Sequence, residues 1–301
     1  MPTSSELEKL HIAGRIAVEV KRLVSTLVKE KMKVLDICEK VEQEIKNRGG
    51  LPAFPCNVGI HDISAHYTSP PNDDTVVPPN SIVKVDFGVH IDGYISDTAI
   101  SVCFNPEYWI LKQAAEEALA NAIKTVKPGV RVSDVGAAIQ RTIEKYGCRP
   151  IQNLTGHSLS RFIVHSGKHI PNMATSESMR IVKGDVFAIE PFATTVNGAG
   201  KVTEGNIGHI YRVIREKQPK DPKGKTLLNG LRKEFHTLPF AWRWVERHPP
   251  VDNVQHVFNT LLRSRFIFGY PTLVEGRNQP VGQAEHTVIV TSDGCEVITG
   301  D

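Results

Sequence analysis

Four carboxylates and one imidazole stand in or beside apolar, strand-like runs of this chain. They are Asp86 in Val85-Asp86-Phe87-Gly88, Asp97 in Ile95-Ser96-Asp97-Thr98, His157 in Gly156-His157-Ser158, Glu190 in Ala188-Ile189-Glu190-Pro191 and Glu285 in Gln283-Ala284-Glu285-His286-Thr287. Ionised side chains are rarely buried without a partner, and the neighbouring residues do not supply the positive charge that four carboxylates need. A pair of divalent cations would. A carboxylate-rich set with a single imidazole suits Mn, Fe, Co or Zn rather than a thiolate-type site. Two such ions about 3.5–4 Å apart can share one hydroxide and bring its pKa near neutral, which is hydrolytic chemistry.

Taken singly, each motif has an ordinary explanation. An Asp before Gly at a strand end is usually a turn residue. Gly156-His157 suits a loop histidine bonded to backbone, and Glu190-Pro191 and Glu285-His286 suit edge charges. The joint pattern favours the metal reading. His61, His90, His169, His236, His248, His256 and His286 lack such company and read as structural or solvated, and Met173 and Met179 as packing residues.

The elements that must position these groups follow from pattern. Residues 80–104 read as a hairpin turning at Asp92-Gly93, a strong two-residue turn signal. With Ile91 opposite Tyr94, Gly88 falls opposite Asp97, so Asp86 and Asp97 share a face as diagonal neighbours, roughly 7–8 Å apart at Cα. The segment from Val28 to Gly49 matches that from Val126 to Gly147 at an ungapped offset of 98, with nine agreements that include Asp36/Asp134 and the terminal glycines. Both copies carry helical apolar spacing with glycine at the C-cap. The likeness continues toward the site. His66 precedes His165 by 99 residues, and the strand ending at Asp86 precedes the one ending at Glu190 by 104. A site between two related halves draws ligands from both.

Ser5-x-x-Glu8 reads as a capping box before a long helix whose buried face is Leu10, Ala13, Ala17, Val20, Val24 and Leu27. Residues 107–125 and 133–146 read as helices, 181–214 as strands broken at 197–200, and 285–299 as a hairpin turning at 292–294. Residues 212–272 break the rhythm with a Lys/Pro loop and helical patterns near 227–235, 239–247 (with Thr237 as cap) and 252–263. The expected organisation is one catalytic domain, 1–211 with 273–301, carrying an inserted helical subdomain, 212–272.

Composition bounds the rest. A chain of 301 residues, 40% hydrophobic and 23% charged, is ordinary for a globular protein. Its five scattered cysteines form no CxxC pair, which argues against a disulfide framework and for a reducing compartment. The polar start and the lack of a bilayer-length apolar run point to the cytoplasm and away from membranes. Residues 212–280 hold 13 Lys/Arg against 6 Asp/Glu, an excess of +7, so at a net charge of +3 the remainder carries −4.

The five motifs together resemble the methionine aminopeptidases, type 2 branch, in the short archaeal-like form without an N-terminal extension, and the resemblance covers essentially the whole chain. It implies an α/β (α+β) fold, the duplicated pita-bread, with the insertion between Glu190 and Glu285 separating type 2 from type 1. It implies removal of the initiator methionine from nascent chains when the second residue is small, by attack of a metal-bridging hydroxide on the scissile carbonyl. Asp97 and Glu285 match the bridging ligands; Asp86 completes one metal and helps hold the free α-amine; His157 and Glu190 complete the other, Glu190 also matching the general base. His165 would hydrogen-bond the substrate carbonyl and His66 would contact the scissile nitrogen. Phe54, Val164, His209 and Tyr270 match the methionine pocket, with Tyr270 supplied by the insertion. A monomer is expected. Two other functions are weighed: an Xaa-Pro aminopeptidase or prolidase of the same fold, and a pita-bread protein binding nucleic acid or the ribosome through the basic insertion, whose phosphate contacts would be sequence-blind.

Overall fold

The computed structural model describes residues 2–247 and 251–300; His248 lies outside them. In the first half, α1 (Ser4–Leu27) and α2 (Val34–Asn47) precede β1 (Leu51–Pro52), β2 (Asn57–Ile60), β3 (Ile63–Ala65) and a long hairpin of β4 (Ile82–Ile91) and β5 (Tyr94–Cys103). In the second, α3 (Trp109–Thr125) and α4 (Val132–Lys145) precede β6 (Arg149–Pro150), β7 (Thr155–Ser158), β8 (His169–Pro171), β9 (Val186–Ile189) and β10 (Phe192–Thr194). There follow β11 (Val202–Val213), α5 (Pro222–Phe235), β12 (Phe240–Ala241), α6 (Trp242–Arg247), α7 (Val254–Arg263), β13 (Ile267–Glu275), β14 (Val281–Gln283), β15 (His286–Val290) and β16 (Cys295–Val297).

The two halves are built alike. Helices α2 and α4, strands β1 and β6, and strands β2 and β7 each occupy positions 98 residues apart. Gly49 and Gly147 follow the paired helices at φ +84° and +70°, left-handed values that glycine adopts without a Cβ penalty. Each half buries a helix pair against its own sheet. Val20, Val24, Ile37 and Val41 pack on Val83, Val85 and Phe87. Leu111, Ala115, Ile139 and Ile143 pack on Phe187, Ile189 and Val288. This is the duplicated α/β pita-bread arrangement.

The hairpin forms in the expected register. Ile91 pairs with Tyr94 and Gly88 with Asp97, and the turn residues Asp92 and Gly93 have φ values of +50° and +82°. Strand β4 carries β1 and β2 as well as β5, while β7, β9 and β15 lie side by side in the other half. A bridge between Ala99 and Glu285 joins β5 to the chain just before β15.

Three local expectations are corrected. The capping box is Thr3 with Glu6, and α1 therefore starts before Ser5; Thr3 and Glu6 exchange both hydrogen bonds, while Leu27 is only part-buried at the helix end. Thr237 caps no helix; its hydroxyl donates to the Phe162 carbonyl, and Phe240–Ala241 forms a strand against β11 before α6 begins. The segment 212–272 is not helical throughout. Its ends continue β11 and β13, which pair with each other over Val213↔Ile267 and beyond, because both edges of the insertion bury apolar residues such as Tyr211 and Ile267. Between them, α5, α6 and α7 close a small core of Leu227, Leu231, Phe240, Trp242 and Phe258. Among the described residues no helix is long and apolar enough to cross a membrane.

Candidate metal centre

Asp86 and Asp97 come from opposite strands of the hairpin, on one face, as period-2 alternation requires. Gly88 beside them is needed for closeness: a Cβ there would lie 2.5 Å from the Phe54 ring. His157 sits on β7, paired with Ala188 of β9, and Glu190 follows the last residue of β9. Gly156 permits that pairing, since a Cβ would meet the Ala188 carbonyl oxygen at 2.5 Å. Glu285 is locked across the halves. Its N–H donates to the Ala99 carbonyl at 3.1 Å, and its carbonyl accepts from Thr98 Oγ1 at 2.8 Å. Thr287 Oγ1 accepts from the Asp97 N–H at 2.7 Å and donates to the Asp97 carbonyl at 2.8 Å, tying β5 to β15 beside the acid.

These elements bring all five side chains to one cavity of about 260 Å³. One donor atom each from Asp97, His157 and Glu285 lies within 4.8 Å of the others. His157 Nε2 stands 3.8 Å from Asp97 Oδ2 and 3.7 Å from Glu190 Oε1. Those separations are too long for hydrogen bonds and suit donors that share a cation at about 2.0–2.2 Å. Asp86 Oδ1, Asp97 Oδ1, Glu285 Oε2 and His157 Nδ1 are buried without a hydrogen-bond partner, an expensive condition for protein alone.

The electrostatics run the same way. Burial pushes Asp86 up to about 7. Burial, then repulsion from Asp86 and the other acids, pushes Asp97, Glu190 and Glu285 well above the usual carboxylate range. Burial and the neighbouring His165 hold His157 well below an ordinary histidine. Acids that resist ionisation beside an imidazole that resists protonation match an oxygen-rich, one-nitrogen donor set, and a divalent cation reverses the penalty on the acids. The residues fit such a group.

His66 follows β3 at φ +63°, with burial lowering its pKa to about 4 and its Nδ1 buried without a partner. Its carbonyl touches β11 where only glycine fits, a Cβ on Gly208 falling 1.6 Å from it. The Tyr270 ring meets the His66 ring edge-on at 5.3 Å. The His165 and His157 rings lie 4.2 Å apart, and crowding by the protein with repulsion from His66 lowers the His165 pKa. Phe54, Val164 and Tyr270 line the cavity as expected.

His209 does not. Its ring packs against Tyr67, and Ile210 lines the cavity instead. The cause is an irregularity in β11 between Ile207 and Tyr211, with His209 at φ +62°, which changes the side-chain alternation there. His169, read as structural or solvated, is exposed and borders the cavity. Sequence reasoning also missed Asn57, a cavity-lining residue, and Gln283, a fully buried amide whose Nε2 lies 3.4 Å from Glu190 Oε2 and which also lowers the Asp86 pKa. The available signal for Gln283 was its place two residues before Glu285 on the same strand-like run.

The model of Metallopeptidase family M24 matches residues 8–220. The chain is 42% identical over 290 residues to the methionine aminopeptidase of Methanothermobacter thermautotrophicus, covering 95% of this chain and 96% of that protein. It is 43% identical over 295 residues to that of Thermococcus onnurineus, covering 98% and 99%. Among solved structures, a thermophilic Arx1 superimposes with a TM-score of 0.84 at 19% identity, over 100% of this chain and 92% of that one. The methionine aminopeptidase from Rickettsia prowazekii gives 0.72 at 20% identity, over 100% and 99%. At such identities the superpositions speak for the fold; the relatives above 40% speak for descent. With a donor set suited to divalent metal at the junction of two like halves, the chain belongs to metallopeptidase family M24 and, within it, to the methionine aminopeptidases.

Proposed function

We propose that this chain is a metal-dependent aminopeptidase that removes the N-terminal methionine of nascent proteins when the second residue is small. The observation that carries the reading is a group of buried, unpartnered acid oxygens at a cavity of about 260 Å³ that also has an apolar wall. Asp86, Asp97, His157, Glu190 and Glu285 would hold two divalent ions of the Co, Mn, Fe or Zn class. When bound, such ions polarise a carbonyl and bring the pKa of water toward 7.

The remaining work falls to the chain's own residues. Phe54, Val164, Ile210 and Tyr270 form an apolar slot suited to an unbranched thioether. His165, neutral at pH 7, offers an N–H to the scissile carbonyl without adding a second positive charge to the site. His66, also neutral and with its Nδ1 buried without a partner, is the residue to contact the scissile nitrogen. Glu190 takes a proton during attack, and Gln283, whose Nε2 lies 3.4 Å from Glu190 Oε2, holds the carboxylate in place. Closing the slot with a strand of the insertion, through Tyr270, leaves the 212–272 segment as part of the catalytic unit.

The test is release of methionine from Met-Ala-Ser by protein reconstituted with Mn or Co, with two equivalents bound in a calorimetric titration. His157→Ala and Glu190→Ala should each lower kcat/KM by at least about 10³-fold. Full activity of either variant in chelator, or cleavage of Xaa-Pro peptides in preference to Met-Ala, would sink the assignment. A contact with ribosomal RNA is the second reading. It is favoured by the exposure of Arg215, Lys217, Lys220, Lys223, Lys225 and Lys233 on the insertion. Co-sedimentation with ribosomes should fall steeply as salt rises.

A further inference from the structure

The side chain directly across β4 from Asp86 is Asn57 of β2, and the register pairs the two residues. Directly opposed residues in an antiparallel pair share a face, with Cβ atoms about 4.5–5.5 Å apart. Asp97 lies diagonally on the other side of Asp86, on β5. The three side chains therefore form a row, with Asn57 at the end farther from His157-facing Asp97.

Asn57 is 6% exposed and lines the cavity. Its Nδ2 donates to the Pro55 carbonyl at 2.8 Å. That bond fixes which way the amide faces, because a flipped amide would set oxygen against oxygen. Oδ1 is thereby committed as an acceptor, and it is buried with no partner. A buried acceptor without a donor is costly, and Pro55 cannot relieve it from the other side, since proline has no N–H. The loop is also held from behind: the Cys56 N–H donates to Glu42 Oε1 at 3.0 Å.

We infer that Asn57 Oδ1 accepts a hydrogen bond from the free α-amine of the substrate. This rests on the aminopeptidase reading and extends it to a residue not otherwise assigned a role. An acceptor can only be satisfied by an N–H or O–H, and near a peptide's N-terminus the donors are the amine and the second residue's amide. The second residue's amide is left to the His66 side of the cavity, where Nδ1 is buried without a partner. The amine, a cationic donor, is drawn to the acidic side of the cavity, where Asn57 stands directly across from Asp86. A neutral amide suits this position better than a carboxylate, because a further acid beside Asp86 would add repulsion to a site already dominated by it. A ligand without the amine would leave Oδ1 without a partner.

The experiment compares methionine with its desamino analogue, 4-(methylthio)butanoate, as ligands of the Mn-loaded protein, each by direct calorimetric binding and as an inhibitor of Met-Ala-Ser hydrolysis. In Asn57→Leu, which keeps the volume, and Asn57→Ala, which gives room, the preference for methionine over the analogue should shrink roughly tenfold or more, while the analogue's own affinity stays put. The analogue is the internal control for folding and metal loading. If both affinities shift by the same factor, or the preference is unchanged in both variants, Asn57 serves only the loop and the inference is overturned. If the wild-type protein binds methionine but hydrolyses no Met-Ala-Ser, the parent reading fails while the binding ratio still decides the role of Asn57.

Discussion

Two buried clusters of charge in this molecule are handled in opposite ways. Glu42 on α2 is 5% exposed and Arg243 on α6 is 1% exposed. They pair directly; Trp244 Nε1 adds a bond to Glu42 Oε2 at 2.8 Å, the Cys56 N–H adds one at 3.0 Å, and Arg243 Nη1 reaches Thr68 Oγ1 and the Ser69 carbonyl. Burial pushes the Glu42 carboxyl up, and Arg243 with the two donors pulls it back. At the metal centre, Asp97, Glu190 and Glu285 meet burial and one another, with Asp97 and Glu190 facing a histidine and several atoms unpartnered. A charge buried for structure brings its counter-charge in the same chain. A charge buried for function leaves that place to a ligand. The first cluster also serves the second: Glu42 and Arg243 grip the segments carrying Asn57 and His66, and so dock the insertion onto the site's walls.

The sharpest way to break this contrast is Arg243→Met. It strands Glu42 in an apolar setting and should remove about 3–5 kcal/mol of stability in urea unfolding, with much of it regained in the double variant with Glu42→Gln. A small loss would mean that the pair is dispensable.

The metal centre should answer with the opposite sign. In chelator, the folded Asp86 carboxyl titrates near 7 against an unfolded value near 3.8. The folded form therefore binds the proton more tightly, and stability falls as pH rises through that window. Asp86→Asn should remove the Asp86 share of this fall, leaving that of Asp97, Glu190 and Glu285, and raise stability at pH 8 by about 2–4 kcal/mol, with little effect below pH 4. With Mn present, the same substitution should lower stability. Destabilisation in chelator at pH 8 would place Asp86 with Glu42 instead.

His90 sharpens the comparison from a neutral group. Its Nδ1 accepts from the Gly93 N–H at 3.0 Å within the hairpin turn, and burial with His236 nearby lowers its pKa to about 4. A depressed histidine contributes stability above pH 6.5 that is lost as pH falls toward 4. His90→Asn, which keeps an acceptor, should flatten that acid limb by about 2 kcal/mol in melts taken from pH 7 to 4.5. An unchanged slope would show that the turn does not depend on the neutral ring.

Much of the hairpin was legible in residue order. Asp92-Gly93 specifies the turn, alternation specifies the face, and Asp86 and Asp97 follow in register. The paired helices were legible because the same apolar spacing recurs 98 residues apart. The misreadings lie where the local signal competes with tertiary contact. His209 sits in a stretch of β11 where the pairing with β13 is irregular, and its neighbour Ile210 lines the cavity. Thr237 looks like a cap but its hydroxyl is taken by Phe162. Gln283 and Asn57 carry no motif; each matters through a strand partner distant in sequence.

The chain alone determined the acids, their strand faces and the two-fold plan, because periodicity and turn chemistry act over a few residues and survive in the linear order. It did not determine which atoms would be left without partners. That was decided when Thr287 took the Asp97 backbone, Thr98 took the Glu285 carbonyl and Pro55 took one side of Asn57. Hydrogen-bond satisfaction is an accounting over the whole fold, and only the folded molecule shows where the account stays open.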